Sequence, residues 1–281
     1  MIETISMRFK SARLINEHVP GGLKGSWLVL CLGAVLPVLF CFFLGHPIDA
    51  EAGGASPFLR GERLTFLVTW GVIPVGEGIL EVHQDVEIDG EKARHFSMIA
   101  RTNGFADIFY KVRDRMDGYT DVELTRSLRY TKVSEGSSKR NVVVTYDWNE
   151  MRARYFNHGQ EHASTALKPR SFDPLSMFYA FRCFDLSPGM TMEIPVSDGK
   201  KTIAGRAVVQ ERENIYVQGT DYDTYRVSVD MGNVEGVFKK SRDAALLIWV
   251  TVDDRRMPVR MRSSVVVGSF TVDLVSAEHM D

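Results

Sequence analysis

Cysteine is scarce in this chain. Of three in 281 residues, Cys31 and Cys41 sit in one apolar run near the N-terminus and Cys183 stands alone beyond it. One thiol cannot close an intramolecular disulfide, so the domain must hold together by its core. A lipoprotein cleavage site is missing as well, because it needs a small residue before its cysteine and Leu30 and Phe40 stand there. Basic excess is absent: 34 Lys and Arg face 36 Asp and Glu, a formal net charge of -2, which leaves nothing to neutralise a nucleic-acid backbone. The chain lacks G-x-S-x-G, any glycine-rich phosphate loop, a repeat period and a βαβ rhythm. Gly76-x-Gly78 has no third glycine and opens a strand.

Long apolar runs are also rare, with one exception. Trp27 to Leu44 is apolar throughout, preceded by Arg8, Lys10, Arg13 and Lys24 and followed by Asp49 and Glu51. That asymmetry puts residues 1–26 in the cytoplasm and the remainder outside it. Two readings of 27–44 stand. It exceeds the usual signal-peptide core and approaches a membrane span of about 20 residues, which favours a retained inner-membrane anchor. Ala50-Glu51-Ala52 follows at once as an A-x-A cleavage pattern, which favours a cleaved signal and is preferred. Either way residues 45–60 form a cleavage region and linker, and 61–281 form a domain exported to the periplasm or cell envelope.

What the exported part does contain is period-2 patterning. In Gly61 to Gly71, Leu64, Phe66 and Val68 share one face while Thr65, Leu67 and Thr69 share the other. Gly78 to Gly90 alternates likewise and ends in Asp89-Gly90, a hairpin signal, with HFSMIART returning. The last stretch reads as three strands parted by Asp253-Asp254-Arg255-Arg256 and by Gly268. About ten strands with short polar turns predict a mainly β protein, one large antiparallel sheet curled into a barrel or half-barrel. Two segments break the pattern. FADIFY (105–110) predicts a helical turn. Asp173 to Phe184 predicts an amphipathic helix, with Asp173 as N-cap, Pro174 at the first helical position and Pro188-Gly189 as a stop. Leu175, Met177, Phe178, Phe181 and Phe184 give it an apolar stripe to bury against the concave face of the sheet.

Two motifs invite chemical readings. His158, Glu161 and His162 in NHGQEH have the H-x-x-E-H spacing of one class of zinc peptidases. That chemistry needs both histidines on one helical face, whereas MRARYF before them alternates as a strand and Ala163 to Leu167 can pair back. Asn157-His158-Gly159-Gln160 is turn chemistry, so the hairpin reading is preferred and no metal or cofactor is expected. Ser197-x-x-Lys200 has the spacing of some acyl-transfer enzymes, but Asp198-Gly199 makes it a hairpin too. His83 and His95 on strands, and His18, His46 and His279 elsewhere, read as surface or satisfied core. Nothing forms a catalytic constellation.

The aromatics offer the remaining functional reading. Phe66, Trp70, Phe109, Phe178, Phe181 and Trp249, with Phe105, Tyr110, Tyr179 and Phe184 near them, line one cavity if the sheet curls around the helix; an ordinary core is the plainer reading. Arg152, Arg154, Arg255, Arg256, Arg260 and Arg262 would supply a basic rim for an anionic head group.

GERLTFLVTWGVIPVGEGILEV, FADIFYKVRDRMDGYTD, FDPLSMFYAFR, PVSDGKK and IWVTVDDRRMPVRMRSSVVVGSFTVDLV together resemble a family of bacterial envelope proteins known as domain of unknown function 3108. The resemblance runs from about Gly61 to Val275 and implies an export signal and a β-rich domain; it carries no catalytic residues, and NHGQEH falls between the resembling segments. The expectation is a non-enzymatic binding or carrier module for an amphiphilic or lipid-like envelope component. Alternatives are a scaffold or assembly partner working through a sheet edge or apolar patch, and a hydrolase using His158, Glu161 and His162. A lipid or amphiphile ligand and, through 27–44 if uncleaved, the inner membrane are the expected partners. No nucleic acid is expected, and no protein partner is specified.

Overall fold

Alternation of buried and half-buried residues along β1 (Glu62–Trp70) sets the plan of the molecule: Leu64, Phe66 and Val68 point inward. The computed structural model describes residues 56–230, 245–265 and 268–279. The N-terminal run 27–44 lies outside them. Among the described residues no helix is long and apolar enough to cross a membrane.

Fifteen strands among the described residues belong to one sheet. After β1 come β2 (Ile73–Val82), β3 (Val86–Ile88), β4 (Glu91–Thr102), β5 (Arg113–Asp121), β6 (Ser127–Glu135), β7 (Lys139–Asp147), β8 (Arg152–Asn157) and β9 (Gln160–Ala166). The second half holds β10 (Thr191–Ser197), β11 (Thr202–Val217), β12 (Thr220–Asp230), β13 (Ala245–Thr251), β14 (Pro258–Val265) and β15 (Gly268–His279). The spatial order is β10-β11-β12-β13-β14-β15-β1-β2-β4-β5-β6-β7-β8-β9, with β3 paired to β4, so the sheet curls without closing and β9 and β10 are its edges. Every pairing between named strands is antiparallel, as a meander of short hairpins requires. Three of those hairpins turn on a non-glycine and a glycine both at positive φ: Asp89-Gly90, His158-Gly159 and Gln218-Gly219. That is the primed turn geometry matching the twist of the strands.

Among the described residues two helices interrupt the meander, α1 (Gly104–Asp107) between β4 and β5, and α2 (Pro174–Arg182) between β9 and β10. Helix α2 therefore carries the chain from one edge of the sheet to the other. All nine of its residues are buried, more than an amphipathic stripe requires, because the curled sheet wraps it. Asp173 caps it, accepting from the backbone N–H of Leu175 and Ser176, and its second oxygen accepts from Ser127 Oγ at 2.6 Å. Gly118 on β5 lets this N-terminus approach: a Cβ there would lie 2.5 Å from Ser176 Oγ. At the other end Arg182, fully buried, donates to Glu62 at 2.6 and 3.1 Å and to the carbonyls of Pro57 and Arg255. Side contacts stitch the seam between the edges: Tyr146 Oη donates to the Ser197 carbonyl, Thr202 Oγ1 donates to the Ala166 carbonyl, and Phe172 bridges Val196.

Candidate functional site

The six aromatic candidates separate. Phe66, Phe178 and Phe181 are buried in the core around α2. Trp249 is buried on the other face of the sheet, opposite Arg226 and Arg260, with its indole N–H donating to Glu213. Trp70 is half-buried at the end of the curled sheet where β1 turns into β2, the upper end (the start of β1 marking the lower end), stacked on Phe270, and Phe109 is exposed there against Phe105. The arginines do not form one rim. Arg154 pairs with Glu150, Arg255 with Glu62, Arg256 with Asp185 and Arg260 with Asp273. Arg152 donates to Ser164 Oγ, and Arg262 is exposed on β14.

NHGQEH is the β8–β9 turn. His158 and Gly159 have φ of 49° and 79°, and His162 is the extra residue of a bulge, since Tyr155 pairs Ala163 while Phe156 pairs Glu161. His158, Glu161 and His162 are all exposed.

Two other places stand out. The first is the upper rim. Val72, in the β1–β2 turn, is 92% exposed and Ile108, just after α1, is 78% exposed; Ile73, Phe105 and Phe109 are 42–47% exposed. The two loops are braced as one body. Asn103 caps α1 through its side-chain oxygen, donates from Nδ2 to the Pro74 carbonyl at 2.7 Å, and donates its backbone N–H to Val75. The Thr102 hydroxyl and then the Arg113 guanidinium hold the Asp107 carboxyl below its ordinary value, anchoring the helix. The β6–β7 turn packs beside it, with Ser137 and Lys111 exchanging hydrogen bonds. Gly136 is required there, since a Cβ would come 2.0 Å from the Lys111 carbonyl oxygen. Lys111, Lys139 and Arg140 are exposed around this junction.

The second is a histidine cluster on the outer face of β2, β4 and β5. His83 and His95 stack at 4.3 Å and His95 stacks on Tyr119 at 4.6 Å. His95 Nε2 lies 2.9 Å from Asp117 Oδ1, and His83 Nε2 lies 2.8 Å from Ser97 Oγ, which donates to Glu81. Arg115 clamps Asp117, and Arg63 pairs with Glu81. Burial and then the neighbouring His95 hold His83 below the ordinary imidazole range. Burial pushes Asp117 up, but hydrogen bonds from His95 and Arg115 outweigh it and leave the carboxyl low.

The sequence profile of the family described as "Protein of unknown function (DUF3108)" matches residues 65–275. The chain belongs to DUF3108. No curated protein matches this DUF3108 chain. Among solved structures, a beta-barrel-like protein of domain of unknown function DUF1849 from Brucella abortus aligns with a TM-score of 0.52 at 10% identity, covering 79% of this chain and 100% of that one. A Bacteroides fragilis protein of YmcC-like fold aligns with a TM-score of 0.32 at 9% identity, covering 85% of this chain and 99% of that one. The first of these agrees with the curled antiparallel sheet of the DUF3108 domain. It speaks to fold alone.

Sequence reasoning missed the histidine cluster for a definable reason. The Asp89-Gly90 hairpin pairs Val86 with Ala93, a register that would put His83 and His95 on opposite faces. Beyond Asp85 the DUF3108 sheet resumes one residue out of step, with Val82 opposite Phe96, and His83 then falls directly opposite His95.

Proposed function

We propose that this protein is a non-enzymatic binding module of the bacterial envelope that engages an anionic, lipid-bearing surface through its upper rim. The observation that carries the reading is the set of five exposed apolar side chains, Val72, Ile73, Phe105, Ile108 and Phe109, gathered on two loops braced to each other. A patch of this kind, held rigidly at one end of a domain and edged by polar groups, is characteristic of a binding surface. Fully burying one such side chain is worth roughly 1.5–3 kcal/mol. Lys111, Lys139 and Arg140 flank the patch, and each cation near an anionic membrane adds about 1 kcal/mol. The apolar run 27–44 behind Arg8, Lys10, Arg13 and Lys24, read as an export signal, supports placement in the envelope. The concave interior is the weaker candidate for the ligand, because α2 and the inward-facing strand side chains pack there as one buried hydrophobic cluster.

Vesicle co-sedimentation tests the reading, using the domain from Ser56 onward, which contains every described strand and both described helices. Binding to vesicles rich in phosphatidylglycerol, weakened by added salt and reduced at least tenfold in Ile108→Ser/Phe109→Ser, is expected. Equal recovery of the double variant and the parent on such vesicles would refute it. A second reading, a scaffold that recruits protein, rests on the outer edge of β9, which no other described strand pairs.

A further inference from the structure

We propose that His83, His95 and Asp117, completed by Glu81, form a binding site for one divalent transition-metal ion of the zinc class. The proposal is independent of the rim and of the reading built on it. Among the described residues, these two histidines and Asp117 offer three ligand atoms all within 4.8 Å of one another. Glu81 Oε2 lies 3.7 Å from His83 Nε2 and supplies the fourth.

The hydrogen bonds define what a metal would replace. Asp117 accepts, so His95 Nε2 carries the donated proton. Ser97 gives its hydroxyl proton to Glu81, so its oxygen accepts from His83 Nε2. Both imidazoles thus aim an Nε2–H into the same cluster of oxygens. On metal binding each neutral ring keeps one proton, which moves to Nδ1 through solvent, and each Nε2 lone pair turns to the ion. Two imidazole nitrogens and two carboxylate oxygens suit zinc, nickel or copper, and suit magnesium or calcium poorly. Metal–ligand distances near 2 Å require the four atoms to draw together, which the His83 side chain can accommodate because it is about one-third exposed and also leaves an entry route.

The surroundings are those of an oriented ligand set. Arg63 fixes Glu81 by its other oxygen, Arg115 holds both oxygens of Asp117, including the Oδ1 that faces His95, and Tyr119 covers His95, so three of the four ligands have partners that set their direction. The two guanidinium groups balance the two carboxylates. Binding is therefore led by imidazole nitrogen rather than by net negative charge, which separates this cluster from an ordinary acidic patch.

The test is equilibrium dialysis of the chelator-stripped domain from Ser56 onward against zinc, with metal content measured by mass spectrometry. One equivalent bound per chain is expected. The dissociation constant should rise at least tenfold in His83→Gln and in His95→Ala, and stay unchanged in His158→Ala/His162→Ala. Cobalt-induced broadening of the His83 and His95 ring resonances in the unsubstituted domain locates the ion without relying on any variant's folding. No stoichiometric metal, or binding lost with the β8–β9 turn histidines and retained in the His83 and His95 variants, would overturn the assignment. So would cobalt broadening confined to His158 and His162.

Discussion

The two ends of the barrel invert the usual distribution of polarity. At the lower end, charged and polar groups are inside: Arg182, Glu62, Asp173 and Ser127 are all buried, each with partners. At the upper end, apolar groups are outside: Val72 and Ile108 stand almost fully in water. Burying a charge without a partner costs far more than exposing a methyl group. The lower network must therefore be complete for the sheet to wrap α2. The upper patch contributes little to folding and is left available for binding. On the proposed reading, stability and function lie at opposite ends of one sheet, and substitutions at each end should separate them.

The largest effect is expected at Arg182. Its guanidinium joins the C-terminal turn of α2 to β1, to the segment before β1 and to the β13–β14 turn, and it lies over the Phe58 ring. Arg182→Ala leaves Glu62 buried with Arg255, at 3.6 Å and half exposed, as its remaining cationic partner. A loss of about 3–5 kcal/mol is expected, read as a fall in the urea midpoint. Replacing both members with apolar residues, Arg182→Met with Glu62→Leu, should recover most of it. Failure of the double replacement to recover anything would mean that Arg182 works through its backbone-carbonyl contacts rather than through the ion pair.

A smaller effect is expected at the opposite end of the same helix. Burial raises the Asp173 carboxyl above its ordinary value, although Ser127 and the Leu175 and Ser176 N–H groups pull the other way. A carboxyl raised in the folded state contributes stability that is fully present below its unfolded value, near 3.9, and lost as the pH rises through the folded value. Asp173→Asn removes that titration and keeps a good N-cap. Its thermal midpoint should vary less than the parent's between about pH 4 and neutrality, with the two curves within about 1 kcal/mol at neutral pH. An unchanged pH slope would show that Asp173 stays ionised in its buried site.

Much of this architecture was legible in the residues. Leu64, Phe66 and Val68 alternate because one face of β1 is core and the other is not, and Asp173-Pro174 announces α2 by capping chemistry alone. The final three strands fall where Asp253 to Arg256 and Gly268 divide them. Other features depend on tertiary register and carry no local signal. Trp249 is as hydrophobic as its neighbours, yet it faces away from α2 because Ile248 and Val250 take the inner positions of β13. His83 and His95 meet through a one-residue shift beyond Asp85 that no periodicity announces. Among the described residues the strand count rose from about ten to fifteen, because β3 is a three-residue stub beyond an irregular register and the charged β5 (RDRMDGYTD) carries little apolar alternation. FADIFY signalled a turn correctly, but an apolar hexamer does not say whether it is buried or presented.

That last ambiguity yields the smallest expected effect and the most informative one for the comparison. Ile108 and Phe109 are exposed, and the bonds that hold α1 come from Asn103, Thr102 and Arg113 instead. Ile108→Ser/Phe109→Ser should therefore leave the urea midpoint within about 0.5 kcal/mol of the parent per site, as for ordinary surface changes. Asn103→Ala in the same loop should cost about 1 kcal/mol, because it removes a cap and the tie to Pro74. If the serine pair destabilised the domain as much as Asn103→Ala, the rim would be packed in solution and the contrast between the two ends would fail. If it left stability intact and abolished vesicle binding, the upper end would be a surface kept apolar for contact rather than for folding.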